Sequence, residues 1–238
     1  MLANMVVAIE SQNPVEFNIV NKLAQNIDEV IYVVPQIVDV SINEKIFPFV
    51  QLHPGPNGGS QPFTYKGNIS VLACNPENRG KSSRMPIKPG ELLSAKTSKN
   101  GGLELANNPD NTRISPKQAG VENKTNPAIN LTVDWYIDDQ LVLSASGINQ
   151  ESVATFQLER GLFFYVAAPL SEQNNDQHSS SNLYVFPASI ASAAKGHRSN
   201  STLYVIPFGT NNVTVLWLRE NGIAGKDKFT FSPPSATP

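Results

Sequence analysis

The chain has 238 residues, 18 Lys and Arg against 20 Asp and Glu, and a formal net charge of −2. Near-neutrality supplies no global field towards nucleic acid or an anionic membrane, and no apolar run approaches the ~18 residues of a spanning helix. The single cysteine, Cys74, excludes an intrachain disulfide. Charged residues make up only 16% of the chain, below the ~25% of an ordinary soluble domain. Their place is taken by 25 Asn and 22 Ser, which with 18 Pro and 15 Gly favour turns and irregular backbone. This length and composition fit one β-rich domain over residues 1–238.

The start, MLANMVVAIES, has no basic segment and only a short apolar stretch. The expectation is cytoplasmic synthesis without a cleaved signal, followed by assembly into particles or export by another route. The first predicted element is a helix. Asn13 suits its cap, Pro14 its first position, and Glu16 completes a capping box. Ile19, Val20, Leu23, Ala24 and Ile27 then recur at helical spacing.

Beyond residue 29 the period becomes two. Segments 30–34, 36–42, 47–52 and 68–74 read as strands, the first two separated by Pro35. The clearest strand is 129–137, where Ile129, Leu131, Val133, Trp135 and Ile137 alternate with Asn130, Thr132, Asp134 and Tyr136. Asp138-Asp139 turns this strand into 141–145. Segment 152–158 is expected to turn at Arg160-Gly161 into 162–168, and 213–219 to turn at Asn221-Gly222 into 228–231. The predicted fold is mainly β: an antiparallel β-sandwich, jelly-roll-like or immunoglobulin-like, with one N-terminal helix and a long irregular insertion.

One short pattern echoes along the chain. Leu183-Tyr184-Val185-Phe186-Pro187 matches Leu203-Tyr204-Val205-Ile206-Pro207, with a related copy at Ile31–Pro35 and a looser one from Phe164. Four unevenly spaced copies do not make a solenoid. They read as recurrent strands that Pro terminates for lack of an N–H. Tyr184 and Tyr204 are candidate stacking platforms for a ligand.

The predicted insertion is 75–128, rich in Pro and Asn. From Arg79 to Lys99 it carries six cations (Arg79, Lys81, Arg84, Lys88, Lys96, Lys99) against Glu91 alone. Arg79, Lys81, Arg84 and Lys88 are candidate contacts for an anionic partner. No aromatic residue interleaves them, which disfavours a nucleic-acid groove. Asn75–Ser82 resembles a phosphate-binding loop in its Gly80-Lys81-Ser82 end. Asn75 stands where such a loop needs its first glycine, and Pro86 and Pro89 oppose the helix that should follow.

No catalytic residue is assigned. The histidines, His53, His178 and His197, lie in separate polar segments, and no nucleophile elbow accompanies them. No metal motif and no cofactor site are expected. Asp134, Asp138 and Asp139 read as a solvated turn rather than a calcium site. The functional expectation is a non-catalytic structural protein, a homo-oligomer assembling into a coat, tube or inclusion-type lattice. The alternative is a carbohydrate- or host-surface-binding module, with a glycan or anionic partner.

Overall fold

The computed structural model describes residues 13–24, 29–38, 44–167, 201–223, 226–234 and 236. It is mainly β, with its strands in three sheets. The first sheet has the order β16 (Asp227–Ser232), β15 (Asn212–Arg219), β1 (Val15–Asn21), β5 (Ser60–Tyr65). The second runs β4 (Val50–Leu52), β2 (Val30–Val38), β13 (Val153–Ala167), β10 (Ala119–Asn123), β8 (Leu92–Thr97), β9 (Leu103–Asn108), with β14 (Ser201–Val205) also on β13. The third runs β3 (Glu44–Ile46), β12 (Gln140–Ile148), β11 (Leu131–Ile137), β6 (Ile69–Cys74), β7 (Met85–Pro86). Most pairings are antiparallel, as expected, but β1–β15 and β8–β10 are parallel.

The sheets pack as sandwiches, and β13 belongs to both packings. Its first half carries Phe156, which stacks on Trp135 of the third sheet at 5.0 Å. Its second half carries Phe164, which meets Phe17, Phe229 and Phe231 of the first sheet at 6.1, 5.7 and 5.2 Å. Period-two patterning explains the division. Leu131, Val133, Trp135 and Ile137 are buried while the residues between them are half-exposed. Apolar side chains on alternate positions of facing sheets then form one continuous core.

The expected N-terminal helix is corrected: residues 15–21 form β1, and Asn13 and Pro14 precede it without helical structure. Ile19, Val20 and Leu23 fit either period. The ladder decides, because β5 pairs one edge of β1 and β15 the other, and Val15, Phe17 and Ile19 enter the core together. Ile27 lies outside the described residues.

Pro35 does not divide two strands, and Arg160-Gly161 is not a turn. Both lie within continuous strands, β2 and β13, where their ladder shifts register between Leu158 and Leu162. The bulge removes the demand for a hydrogen bond that Pro35 could not meet. Gly161 serves close approach rather than reversal. A Cβ there would lie 2.2 Å from Gln36 Oε1 and 2.8 Å from Leu203 Cδ1. By contrast, Asp138 and Asp139 both adopt positive φ, 46° and 71°, and close a two-residue hairpin between Ile137 and Gln140, as expected. Asn221-Gly222 sits in a longer connection, since the last pair of β15 and β16 is Arg219 with Asp227.

The stretch 75–128, expected as an irregular insertion, contains β7, β8, β9 and β10, and three of these extend the second sheet. Every residue of β10, AGVEN, is buried. Such small and polar residues carry little intrinsic strand signal, and tertiary context supplies it. Two of them need internal partners. Glu122 bonds Arg113, accepts from Asn108 Nδ2 at 2.8 Å and lies 3.3 Å from Lys124 Nζ. Asn123, fully buried, donates to the carbonyls of Ile129 and Ile148 at 2.7 Å each, and its Oδ1 accepts from the Thr125 backbone and hydroxyl.

The echoed segments are neighbours. Ile31–Pro35 in β2, the copy from Phe164 in β13 and Leu203–Val205 in β14 lie side by side. Tyr32 and Tyr165 are register partners with rings stacked at 5.2 Å. The copy at 183–187 lies outside the described residues.

Replacing the buried Asn123 with Ala removes its donors to the Ile129 and Ile148 carbonyls and the acceptor of the Thr125 hydroxyl, so Asn123→Ala is expected to lower unfolding free energy by about 2–4 kcal/mol. Urea denaturation measures this directly, with exposed Ser83→Ala as the control. A loss no larger than the control's contradicts the assigned network.

Candidate functional site

The near-phosphate loop resolves into a β-hairpin connection. Asn75 N–H donates to the Gly80 carbonyl at 2.8 Å, and Asn75 Oδ1 accepts from Glu77 N–H at 3.0 Å. Asn78 Oδ1 accepts from Gly80 N–H at 2.9 Å. The loop amides at Glu77 and Gly80 are therefore engaged by its own asparagines rather than turned towards an anion. Ser82 Oγ accepts from Ala73 N–H and donates to the Ser83 carbonyl, both at 3.0 Å. Strand β7 follows in place of a helix.

Arg79, Lys81 and Arg84 sit on or just after this hairpin loop, and Lys88 lies beyond β7. All four are exposed. Arg84 already has a counter-charge: its Nη2 lies 2.7 Å from Asp139 Oδ1, and its guanidinium covers the Tyr136 ring at 4.9 Å. The strip is a solvated hairpin surface in which at least one cation is internally compensated.

Tyr204 is not a stacking platform. It is 0% exposed, stacks on Phe231 at 4.5 Å, meets Phe17 edge-on at 6.0 Å and donates its hydroxyl to the Pro233 carbonyl at 3.2 Å. Strand alternation places it on the same face as Thr202, turned to the core. Tyr184 lies outside the described residues. Trp135 and Trp217 are buried too, so neither indole offers a face to a ligand.

The thiol of Cys74 is a poor nucleophile. Burial first, and then the carboxylate of Asp134, push it up to about 12 despite the opposing charge of Lys81. Its Sγ lies 3.6 Å from Asp134 Oδ2, and Asp134 also accepts from Ser144 Oγ at 2.6 Å. His53 is exposed and contacts Gln51 Nε2 at 3.1 Å. His178 and His197 lie outside the described residues. Among the described residues no group of three His, Cys, Asp or Glu side chains is placed to hold a metal.

Two surfaces that no motif indicated emerge from the fold. One is the outer face of the first sheet. Register aligns Ser232, Thr214, Asn18 and Pro62 in one row and Thr230, Leu216, Val20 and Ser60 in the next. Of the β1, β5, β15 and β16 side chains on this face, only Glu16 and Lys228 are charged, and both belong to outer rows. Leu218, beside Lys228, is 37% exposed.

The other is a cleft of about 500 Å³ where β4 and β5 approach the hairpin that joins β11 to β12. Phe47, Phe49 and Phe63 line it together with Gln51, Thr64 and Gln140. Phe63 lies flat on Phe17 at 4.7 Å and takes the edge of Phe49 at 6.1 Å. Asp138 at the cleft wall is held hard. Its carboxylate accepts three backbone N–H groups, from Lys66 at 2.6 Å, Gly67 at 3.1 Å and Asn68 at 3.0 Å. These positions come from distant strands, so only tertiary structure gathers them. The Asp138-Asp139 turn was the one local signal in the sequence.

No family model matches the chain, and neither curated proteins nor solved structures give a match.

At pH 8 Cys74 is expected to react with iodoacetamide on the order of 10²–10³-fold more slowly than a free cysteine, because the thiolate is the reactive form. The Asp134 carboxylate disfavours that thiolate, so Asp134→Asn is expected to accelerate alkylation. Wild-type alkylation at the rate of a free thiol contradicts this placement.

Proposed function

We propose that the protein is a non-catalytic structural subunit that assembles with copies of itself through the outer face of the β16-β15-β1-β5 sheet. The observation that carries this reading is the two central rows of that face, which hold Ser, Thr, Asn, Pro, Leu and Val without a charge. Charged residues are normally what keeps a sheet surface from associating with its like. A flat uncharged face loses little by desolvation and contributes both apolar contact and short hydroxyl and amide hydrogen bonds. The two edges differ. β5 carries Pro62, which interrupts its line of N–H donors, whereas β16 has no proline from Asp227 to Ser232. Assembly by addition of a strand therefore favours β16. The alternative, a glycan-binding module, draws support from the cleft alone, since Tyr204 and both tryptophans are in the core.

Light scattering after size exclusion, with electron microscopy of the purified protein, is expected to show regular particles larger than one chain. Thr214→Lys with Thr230→Lys places two like charges in the central rows at exposed positions, where folding costs are small, within about 0.5 kcal/mol each. The double variant is expected to shift the population to monomer while its circular dichroism stays that of the wild type. A wild-type protein that is monomeric at every concentration removes the proposal, as does a double variant that assembles equally well.

A further inference from the structure

The cleft between β4, β5 and the β11–β12 hairpin has a composition that selects a ligand class. Its volume, about 500 Å³, falls in the ~300–1,000 Å³ range of small-molecule sites. Its accessible apolar surface comes from the half-buried Phe63, Pro48, Val50 and Leu141, with Phe47 and Phe49 buried beneath it. The Phe63 ring is fixed by packing, one face flat against Phe17 at 4.7 Å. A ring held in this way loses no side-chain entropy on binding.

Of the neutral polar liners, Thr64 already donates its hydroxyl to the Glu16 carboxylate at 2.9 Å, which leaves two side chains of one kind. Gln51 and Gln140 contribute carboxamides, each able to donate and accept at once. The Gln140 side chain is exposed, and the Gln51 amide is steadied by His53 at 3.1 Å. Neither Lys nor Arg lines the cleft, so an anion finds no counter-charge. The one ionisable liner is Asp138, and its two oxygens already accept from the Lys66, Gly67 and Asn68 amides. That carboxylate is spent on holding the wall and leaves little for a cation. What remains is one aromatic ring among half-buried apolar side chains, bordered by neutral donor–acceptor groups.

We infer that this cleft binds a neutral sugar, its C–H face against the Phe63 ring and its hydroxyls on the Gln51 and Gln140 carboxamides. A pyranose is complementary on both counts, having one apolar face and a ring of hydroxyls that each donate and accept. A proline-rich peptide would stack on the ring and accept from the carboxamide N–H groups, but proline has no N–H to offer their oxygens. The inference stands on the cleft alone and is independent of self-assembly.

Ligand-observed saturation-transfer NMR tests it, with full-length protein and a panel of methyl α- and β-glycosides of glucose, galactose and mannose plus N-acetylglucosamine. At least one neutral glycoside is expected to show transfer concentrated on its ring C–H protons. Gln51→Ala with Gln140→Ala, at partly or fully exposed positions, is expected to weaken binding at least tenfold. Leu141→Trp is expected to abolish it by filling the cleft. Both variants are checked for wild-type circular dichroism, and the alanine pair alone decides if the tryptophan variant misfolds. Absence of transfer from every neutral sugar overturns the inference. So does binding that survives both variants, or a stronger response from glucuronate, glucosamine or a polyproline peptide than from any neutral glycoside.

Discussion

A single strand packed against two other sheets has to change what it faces halfway along. That constraint on β13 organises the molecule. The register shift between Leu158 and Leu162 is where the change occurs, and it separates Phe156, packed on Trp135, from Phe164, packed on the first sheet. A bulge adds local twist and bends its strand, which lets consecutive halves present side chains to different partner sheets. The neighbours conform. β10 and β14 occupy one edge of β13 in succession, and β2 follows the other edge across the shift. Pro35 and Gly161 stand at the shift for opposite reasons, one lacking a donor and the other lacking a side chain.

Two clusters of buried polar and charged residues sit where strands end, and their members pair with one another. Arg219 lies between Glu29 and Asp227, and Asp227 also accepts from the Trp217 indole at 2.8 Å. Glu122 and Asn123 close the far end of β10. Buried charge of this kind contributes little net stability when paired, yet is costly to leave unpaired. These clusters therefore act on register: a strand slipped by one residue would turn Asp227 or Glu122 away from its cations.

Much of this was legible in the sequence, for identifiable reasons. The strand at 131–137 and the Asp138-Asp139 hairpin were plain because period, composition and turn chemistry agree. The first strand was misread because Ile19, Val20 and Leu23 satisfy two periods at once, and the capping pattern at Asn13–Glu16 favoured the wrong one. β8 and β10 were invisible because Ser, Ala, Gly, Glu and Asn become strand residues only when tertiary partners bury them. The site residues divide in the same way. Arg79, Lys81, Arg84 and Lys88 are exposed because their charge keeps them out of the core, but no partner follows from that exposure. Tyr204 was placed on the wrong side because alternation within a short strand does not say which face is wet. The cleft and the uncharged sheet face had no local signature, as each is assembled from segments far apart in the chain.

The three amide bonds to Asp138 have a mechanical consequence. Residues 66–68 are the link by which the chain leaves β5 of the first sheet and enters β6 of the third. The carboxylate at the tip of the β11–β12 hairpin grips that link on consecutive N–H groups. The crossing from one sheet to the other is thus anchored by polar contacts at the surface as well as by the apolar core beneath it. Segment 47–49 makes a second crossing, where Phe47 N–H bonds the Val142 carbonyl of the third sheet and Phe49 N–H the Val33 carbonyl of the second.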